Sequence, residues 1–137
     1  MPQIYNRLLI TLCVLVYAVL IPFLEWNDSH VFNPDWPTHA RFHEVWQLFT
    51  HITLGLFALY LAWWKHSIIY AAIVCSCIMS GVVVAYLTAD IYSGSVLSGN
   101  LSKTVLGLEL GVFIAVVVCV LSIIAICSER RANQRAK

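Results

Sequence analysis

Long apolar stretches alternate with short polar connections along this chain. Each stretch is close to the roughly 20 residues that a helix needs to cross the hydrocarbon layer of a bilayer. Backbone groups in lipid must form hydrogen bonds within their own segment, so each stretch is predicted to be a helix. The predicted spans are about residues 5–24, 38–64, 67–89 and 103–127, followed by a basic tail at residues 128–137. The sequence therefore predicts a single domain, an all-α four-helix transmembrane bundle.

Composition supports lipid as the surrounding solvent. The 137 residues are 61% hydrophobic and only 11% charged, whereas a soluble domain carries about 25% charged residues. The net charge of +1 argues against a nucleic-acid partner, because no basic stripe lies outside the last ten residues. A lipid bilayer is the expected partner.

Lys and Arg residues divide unevenly between the two ends of the predicted bundle. Positive residues favour the cytoplasmic side, so both termini are predicted to be cytoplasmic. The absence of long soluble loops and of eukaryotic sorting signals favours a bacterial inner membrane and a place in the cell envelope. The predicted cytoplasmic end holds Arg7, Lys65, Arg130, Arg131, Arg135 and Lys137, and the other end holds Arg41 and Lys103.

The segment at residues 33–47, NPDWPTHARFHEVWQ, is the most distinctive part of the chain. Pro37 suits a first helical turn, because a backbone N–H at that position would have no hydrogen-bond partner within the helix. His39 and His43 are spaced i, i+4 and share a helix face, as two metal ligands or a proton relay require. Measured from His39 at about 100° per residue, a polar arc descends into the membrane. It runs through His43, Gln47, His51 and Glu44.

Glu109 is predicted to lie within the outer half of the fourth span. A charge at that depth is costly, so an intramembrane acid usually faces a bundle interior or a wet cavity. We therefore expect an outward-facing pocket formed by several polar side chains. Its predicted members are His39, His43, Gln47, His51, Glu109, Asp90, Tyr86, Glu25, Asp35, Trp36, Arg41 and Glu44.

Three interpretations of this cluster remain open. It is a polar network that holds the helices together, a pocket for a small ligand or a partner protein, or an acid/base or metal site. A divalent metal is the one cofactor considered, with His39, His43 and Glu109 as ligands. The adjacent Glu of an H-E-x-x-H motif is missing, and no catalytic residue is assigned. The leading hypothesis is a non-enzymatic accessory subunit or small-ligand binder, and the alternative is a membrane enzyme or metal-handling protein.

Small residues recur at every fourth position of the fourth span. Such a stripe lets two helices approach closely in a membrane. It predicts a contact with a second copy of the chain or with a partner helix, through Gly107, Gly111 and Ala115.

The NPDWPTHARFH segment, residues 33–43, resembles a motif of small four-span membrane proteins of uncharacterised function. That resemblance implies a topology and no activity. A looser likeness is to the four-span sterol-isomerase and sigma-2-receptor-like group, which keeps acidic and histidine residues in an intramembrane ligand cavity. His39, His43 and Glu109 would correspond to such residues, although their spacing departs from the pattern of that group.

Overall fold

Four helices dominate the computed structural model, which describes residues 2–97 and 103–135. Within those residues, the helices long and apolar enough to cross a membrane are Ile4–Glu25, Thr38–Trp63, Ile68–Leu87 and Leu110–Arg135. The predicted all-α four-helix fold is thereby confirmed. The part of the third connection at residues 98–102 and the end of the tail, including Lys137, lie outside the described residues.

The first span is a composite helix. It consists of α1 (Pro2–Leu15), a π-helical turn (Val16–Leu20) and α2 (Ile21–Glu25). Pro22 has no backbone N–H, so it cannot complete the regular hydrogen-bond ladder with the turn before it. The chain widens here into a π turn, a rare element that occurs mostly as a single turn inside α-helices and is frequent at functional sites.

Helix α3 (Thr38–Trp63) follows an ordered connection at residues 26–37. Pro37 occupies the N-cap position, and its carbonyl oxygen accepts hydrogen bonds from the Ala40 and Arg41 amides. Neither Asp35 nor Thr38 makes a side-chain cap there. The proline is sufficient because its fixed φ already suits the helix start.

Helix α4 (Ile68–Leu87) ends in a single 3₁₀ turn at Ala89–Ile91. A short hairpin then pairs β1 (Thr104–Val105) with β2 (Leu108–Glu109), and α5 (Leu110–Arg135) follows at once. Leu106 and Gly107 both adopt positive φ, 52° and 82°, as the two central residues of a type I′ hairpin turn do.

This hairpin changes the fourth span in two ways. The helix begins at Leu110 rather than at about residue 103. Glu109 therefore lies immediately before the first residue of the helix and not two turns inside it. The helix also continues to Arg135, so most of the predicted solvated tail is helical. The sequence pattern gave no sign of the tight turn at Leu106 and Gly107.

The helices approach each other closely because small side chains occupy the contacts. Gly55 of α3 faces the first span, where a Cβ added to the glycine would stand 2.6 Å from Ala18 Cβ. The fully buried core also contains large side chains, with Tyr17, Ile10, Leu48 and Met79 among them.

The two ends of the bundle differ in character. At the basic end, which holds the start of α1, the end of α5 and residues 64–67, the Asn6 amide donates a 2.7 Å hydrogen bond to the Glu129 carboxylate. Asn6 is 0% exposed and Glu129 5% exposed. Arg7 contacts His66 and lies over the Trp63 ring. The acidic end, formed by residues 25–37, 88–97 and 103–109, carries the candidate site.

Candidate functional site

A cavity of about 350 Å³ opens among the four spans at the acidic end. We refer to it as the acidic cavity. Most of its wall is apolar and comes from the first span, α4 and α5. The apolar side chains include Val16, Leu20, Ile21, Leu24, Met79, Val82, Leu110, Val112 and Ile114. The polar lining residues are Glu25, His30, Glu44, Gln47, His51 and Glu109. The π turn contributes Val16 and Leu20, so the widened backbone lies directly against the cavity.

Glu25 is held by the folded connection that follows it. Its Oε2 lies 2.6 Å from His30 Nε2, so the carboxyl and the imidazole are in direct contact. The other ring nitrogen, Nδ1, lies 2.8 Å from Ser29 Oγ, and that hydroxyl donates to Asn27 Oδ1 at 2.6 Å. Hydrogen bonds within the connection therefore position the imidazole that contacts the Glu25 carboxyl at the cavity wall.

His30 itself is buried, with 9% of its surface exposed. Burial lowers the pKa of the imidazole, because loss of solvent penalises the charged ring. Trp36 packs edge-on against it, with ring centroids 5.5 Å apart. The connection thus lines one side of the acidic cavity with a buried histidine that packs against Trp36.

Helix α3 supplies three polar side chains on one face. Glu44, Gln47 and His51 all line the cavity, as their i, i+3 and i+7 spacing requires. His51 lies deepest and is 9% exposed. Its ring packs edge-on against Tyr17 at 6.2 Å. Its Nδ1 atom is buried and has no hydrogen-bond partner within residues 2–97 and 103–135.

Acidic side chains line the acidic cavity without basic Lys or Arg side chains among the described lining residues. Among the described lining residues, Glu25, Glu44 and Glu109 carry carboxyl groups and none is Lys or Arg. Carboxylates around a poorly solvated space repel one another and favour a proton or another cation between them. The geometry therefore favours a positively charged group in the cavity.

The structure brings together five of the twelve predicted pocket residues. These five are Glu25, Glu44, Gln47, His51 and Glu109. The other seven do not line the cavity. Trp36 supports it through His30, whereas the remaining six, His39, His43, Asp35, Arg41, Tyr86 and Asp90, lie elsewhere around the acidic end.

The proposed metal ligands are not assembled as a set. His39 and His43 contact each other on the exposed side of α3, while Glu109 lines the cavity without them. In the described part of the chain, no group of three or more His, Cys, Asp and Glu side chains is arranged to hold a metal ion. The helical twist explains the separation, because His39 is about 120° from His51 around α3.

His30 is a polar cavity-lining residue that the sequence did not predict. The available signal was its position five residues after Glu25 in a connection rich in turn-forming residues, which brings an imidazole back toward the end of the first span. Helical periodicity could not reveal it, because the residue belongs to no helix.

The stripe of small residues does not form a free helix face. Gly107 lies in the hairpin turn, Gly111 lines the cavity, and Ala115 is fully buried within the bundle. The hairpin places Gly107 outside the helix. The three residues are four positions apart in the sequence, but they do not share one helix face. Contact with a second copy through these three residues therefore has no geometric support.

Comparison with known proteins gives one result. The family of unknown function DUF6640 matches residues 9–136, which is nearly the whole chain. No curated protein and no solved structure matches it. The likeness to the sterol-isomerase and sigma-2-receptor-like group stays a prediction.

Proposed function

The chain belongs to the DUF6640 family, whose description assigns no function, and we propose that it binds a small membrane-soluble ligand with an apolar body and a basic head group. One observation carries this proposal. Three carboxyl-bearing side chains line a mostly apolar cavity whose described lining contains no Lys or Arg. A ligand that is apolar throughout would leave those groups unsatisfied, and an anion would be repelled.

The size and wall of the cavity suit the body of such a ligand. Its volume of about 350 Å³ falls within the usual range for small-molecule sites, about 300–1,000 Å³. Apolar side chains from the first span, α4 and α5 provide the surface that an alkyl or ring system buries. Burial of that surface contributes about 25 cal/mol per Å² before the costs of binding are subtracted.

The polar side of the cavity suits the head group. A protonated amine can donate hydrogen bonds to carboxylates, and such charge-assisted bonds are roughly twice as strong as neutral ones. Glu25 is already held in place by His30, so little side-chain entropy is lost when a ligand binds to it. His51 Nδ1, unpartnered within the described residues, offers a further polar contact deeper in the cavity.

The membrane setting is part of the proposal. Positive residues concentrate at the basic end, which supports cytoplasmic termini and an outward-facing cavity. On this topology the ligand enters from the outer side of a bacterial inner membrane, within the cell envelope. The protein then acts as a binder rather than as an enzyme.

A second candidate is a membrane enzyme that uses acid/base chemistry. The contact between Glu25 and His30 favours it, because a carboxyl and an imidazole at the cavity wall can deliver or accept a proton. The two candidates differ in the fate of the ligand. A binder returns it unchanged, whereas an enzyme releases a product with a different mass.

Gly111→Leu is the variant that tests the cavity. Gly111 lines it, and a Cβ added there meets no atom within 4 Å, so the new side chain can extend into the cavity without a clash at its base. Gly81→Leu is the matched control. Gly81 is exposed on α4, outside the cavity, and its added Cβ also meets nothing within 4 Å.

The assay measures saturable binding of a long-chain dimethylalkylamine to the purified protein in neutral-lipid nanodiscs. The alcohol of the same chain length serves as the competitor. We expect the amine to bind to wild type and Gly81→Leu, to bind weakly to Gly111→Leu, and to resist competition by the alcohol. Equal binding by all three proteins would refute the cavity as the site. Absence of amine binding together with co-purification of a second membrane protein would favour the accessory-subunit hypothesis instead.

A further inference from the structure

Two histidines stand apart from the acidic cavity on the exposed side of α3. His39 and His43 belong to the first two turns of the helix, and their Nε2 atoms are 3.0 Å apart. The ring centroids are 4.5 Å apart and the ring planes are nearly perpendicular, at 86°. We refer to these two residues as the histidine pair. Neither histidine lines the acidic cavity.

Neighbouring aromatic rings hold the pair in this arrangement. The His39 ring is stacked with Phe42, with 9° between their planes, and the His43 ring is stacked with Trp46, with 29° between theirs. The side chains of Phe42 and Trp46 are 63% and 59% exposed. The ring centroids are 6.3 Å apart in the first of these pairs and 5.6 Å apart in the second, so each imidazole has an aromatic neighbour in its own helix. Between these neighbours, the two Nε2 atoms face each other.

The distance between the nitrogens matches a bidentate metal site. An imidazole nitrogen binds a divalent transition metal at about 2.0–2.1 Å. Two such bonds at a right angle separate the nitrogens by about 2.9 Å, and two at the tetrahedral angle separate them by about 3.3 Å. The observed 3.0 Å lies close to the right-angled value. Only one hydrogen fits between the nitrogens, and a metal ion in its place would engage the lone pairs of both.

The pair lies where an ion from water can reach it. Helix α3 has 26 residues, a length of about 39 Å, whereas the hydrocarbon layer is about 30 Å thick. Trp63 at the opposite end of the helix adjoins Trp64 and Lys65, residue types that favour the headgroup boundary. The first turns of α3 consequently extend into the headgroup region of the other face, with both imidazoles exposed.

We propose that His39 and His43 form a surface site for one late transition-metal ion that accepts two adjacent imidazoles at about a right angle. Cu²⁺ and Ni²⁺ have this geometry, and imidazole is a preferred ligand for both. Water fills the remaining positions, since the site has two protein ligands. Such a site binds an exchangeable ion rather than a permanent structural one. It differs from the three-ligand set predicted from the sequence, because Glu109 takes no part.

Nickel is the probe of choice. The chain contains five cysteines, two of them exposed, and thiols reduce Cu²⁺ but not Ni²⁺. The full chain, purified without a polyhistidine tag and treated with chelator, is titrated calorimetrically with Ni²⁺ in non-ionic detergent. His39→Gln and His43→Gln remove one ligand each from an exposed surface, so neither change should affect folding. Glu109→Gln is the control that retains the pair.

We expect one Ni²⁺ per chain in the wild-type protein and in Glu109→Gln. Each histidine variant should weaken binding by at least about 10-fold, since even the loss of a hydrogen-bond partner behind a metal ligand costs 10–100-fold. Equal affinity in wild type and both histidine variants would overturn the proposal, as would the absence of stoichiometric binding. A matching loss in Glu109→Gln would also overturn it and would restore the three-ligand site.

Discussion

The contact between α3 and the first span can be tested at a single glycine. Gly55→Ala adds one carbon where the helices are closest. That carbon would stand 2.6 Å from Ala18 Cβ and 3.1 Å from Val14 Cγ1, whereas carbon atoms in contact prefer about 3.5–4.0 Å. The neighbour at 2.6 Å is itself a Cβ, so no flexible side chain can move aside. The helices must separate by about 1 Å.

The expected loss of stability follows from two opposing effects. Overpacking of a filled core costs about 1–3 kcal/mol. Alanine in a helix interior is favoured over glycine by about 0.5–1 kcal/mol. The two effects combine to a net destabilisation of about 0–2.5 kcal/mol, and we expect the upper half of that range for Gly55→Ala because the nearest neighbour cannot move aside. His51 lies one turn before Gly55 on the same face of α3, so amine binding should weaken as well.

Gly81→Ala is the control for this prediction. Nothing lies within 4 Å of an added Cβ at Gly81, so that variant should be as stable as wild type or more stable by up to about 1 kcal/mol. Stability is measured by unfolding of each protein in mixed detergent micelles with increasing SDS. Equal unfolding of the two alanine variants would refute the close approach of α3 to the first span.

Two further changes test the ends of the bundle. Asn6→Ala removes the donor to the buried Glu129 carboxylate and should cost about 1–3 kcal/mol in unfolding experiments; unchanged stability would show that the pair is not buried. His30→Gln tests the pH dependence of the acidic end. The pKa of His30 in the folded protein lies below the ordinary value of 6.5. The unfolded chain therefore binds the proton more readily than the folded protein does. Stability consequently falls as pH decreases from about 6.5 toward the pKa of the folded protein. Thermal unfolding of wild type should show that fall, and His30→Gln should show less of it; identical pH profiles would contradict this assignment.

Much of this architecture could be predicted from the sequence because lipid imposes simple rules. The lengths of the apolar stretches gave the four spans, and Pro37 marked the start of α3 to within one residue. Helical periodicity also placed Glu44, Gln47 and His51 on one face, and all three line the cavity. These predictions depend on local backbone geometry, which the order of residues determines directly.

The remaining features depend on chain reversals and long-range packing. The hairpin turn at Leu106 and Gly107 moved Glu109 from a presumed mid-helix position to the start of α5. The connection after Glu25 folds back and brings His30 to it. Periodicity also placed His39 and His43 on one face correctly, but it could not tell which face of α3 the first span and α4 would cover. That choice separates the histidine pair from the acidic cavity.

The most direct test of the central claim is an experimental structure of the protein purified with the bound dimethylalkylamine. We predict an elongated density in the acidic cavity, with its head among Glu25, Glu44 and Glu109 and its body against the apolar wall of the first span, α4 and α5. A cavity closed by side chains, or carboxyl groups directed at the surrounding lipid with the amine elsewhere, would contradict the account.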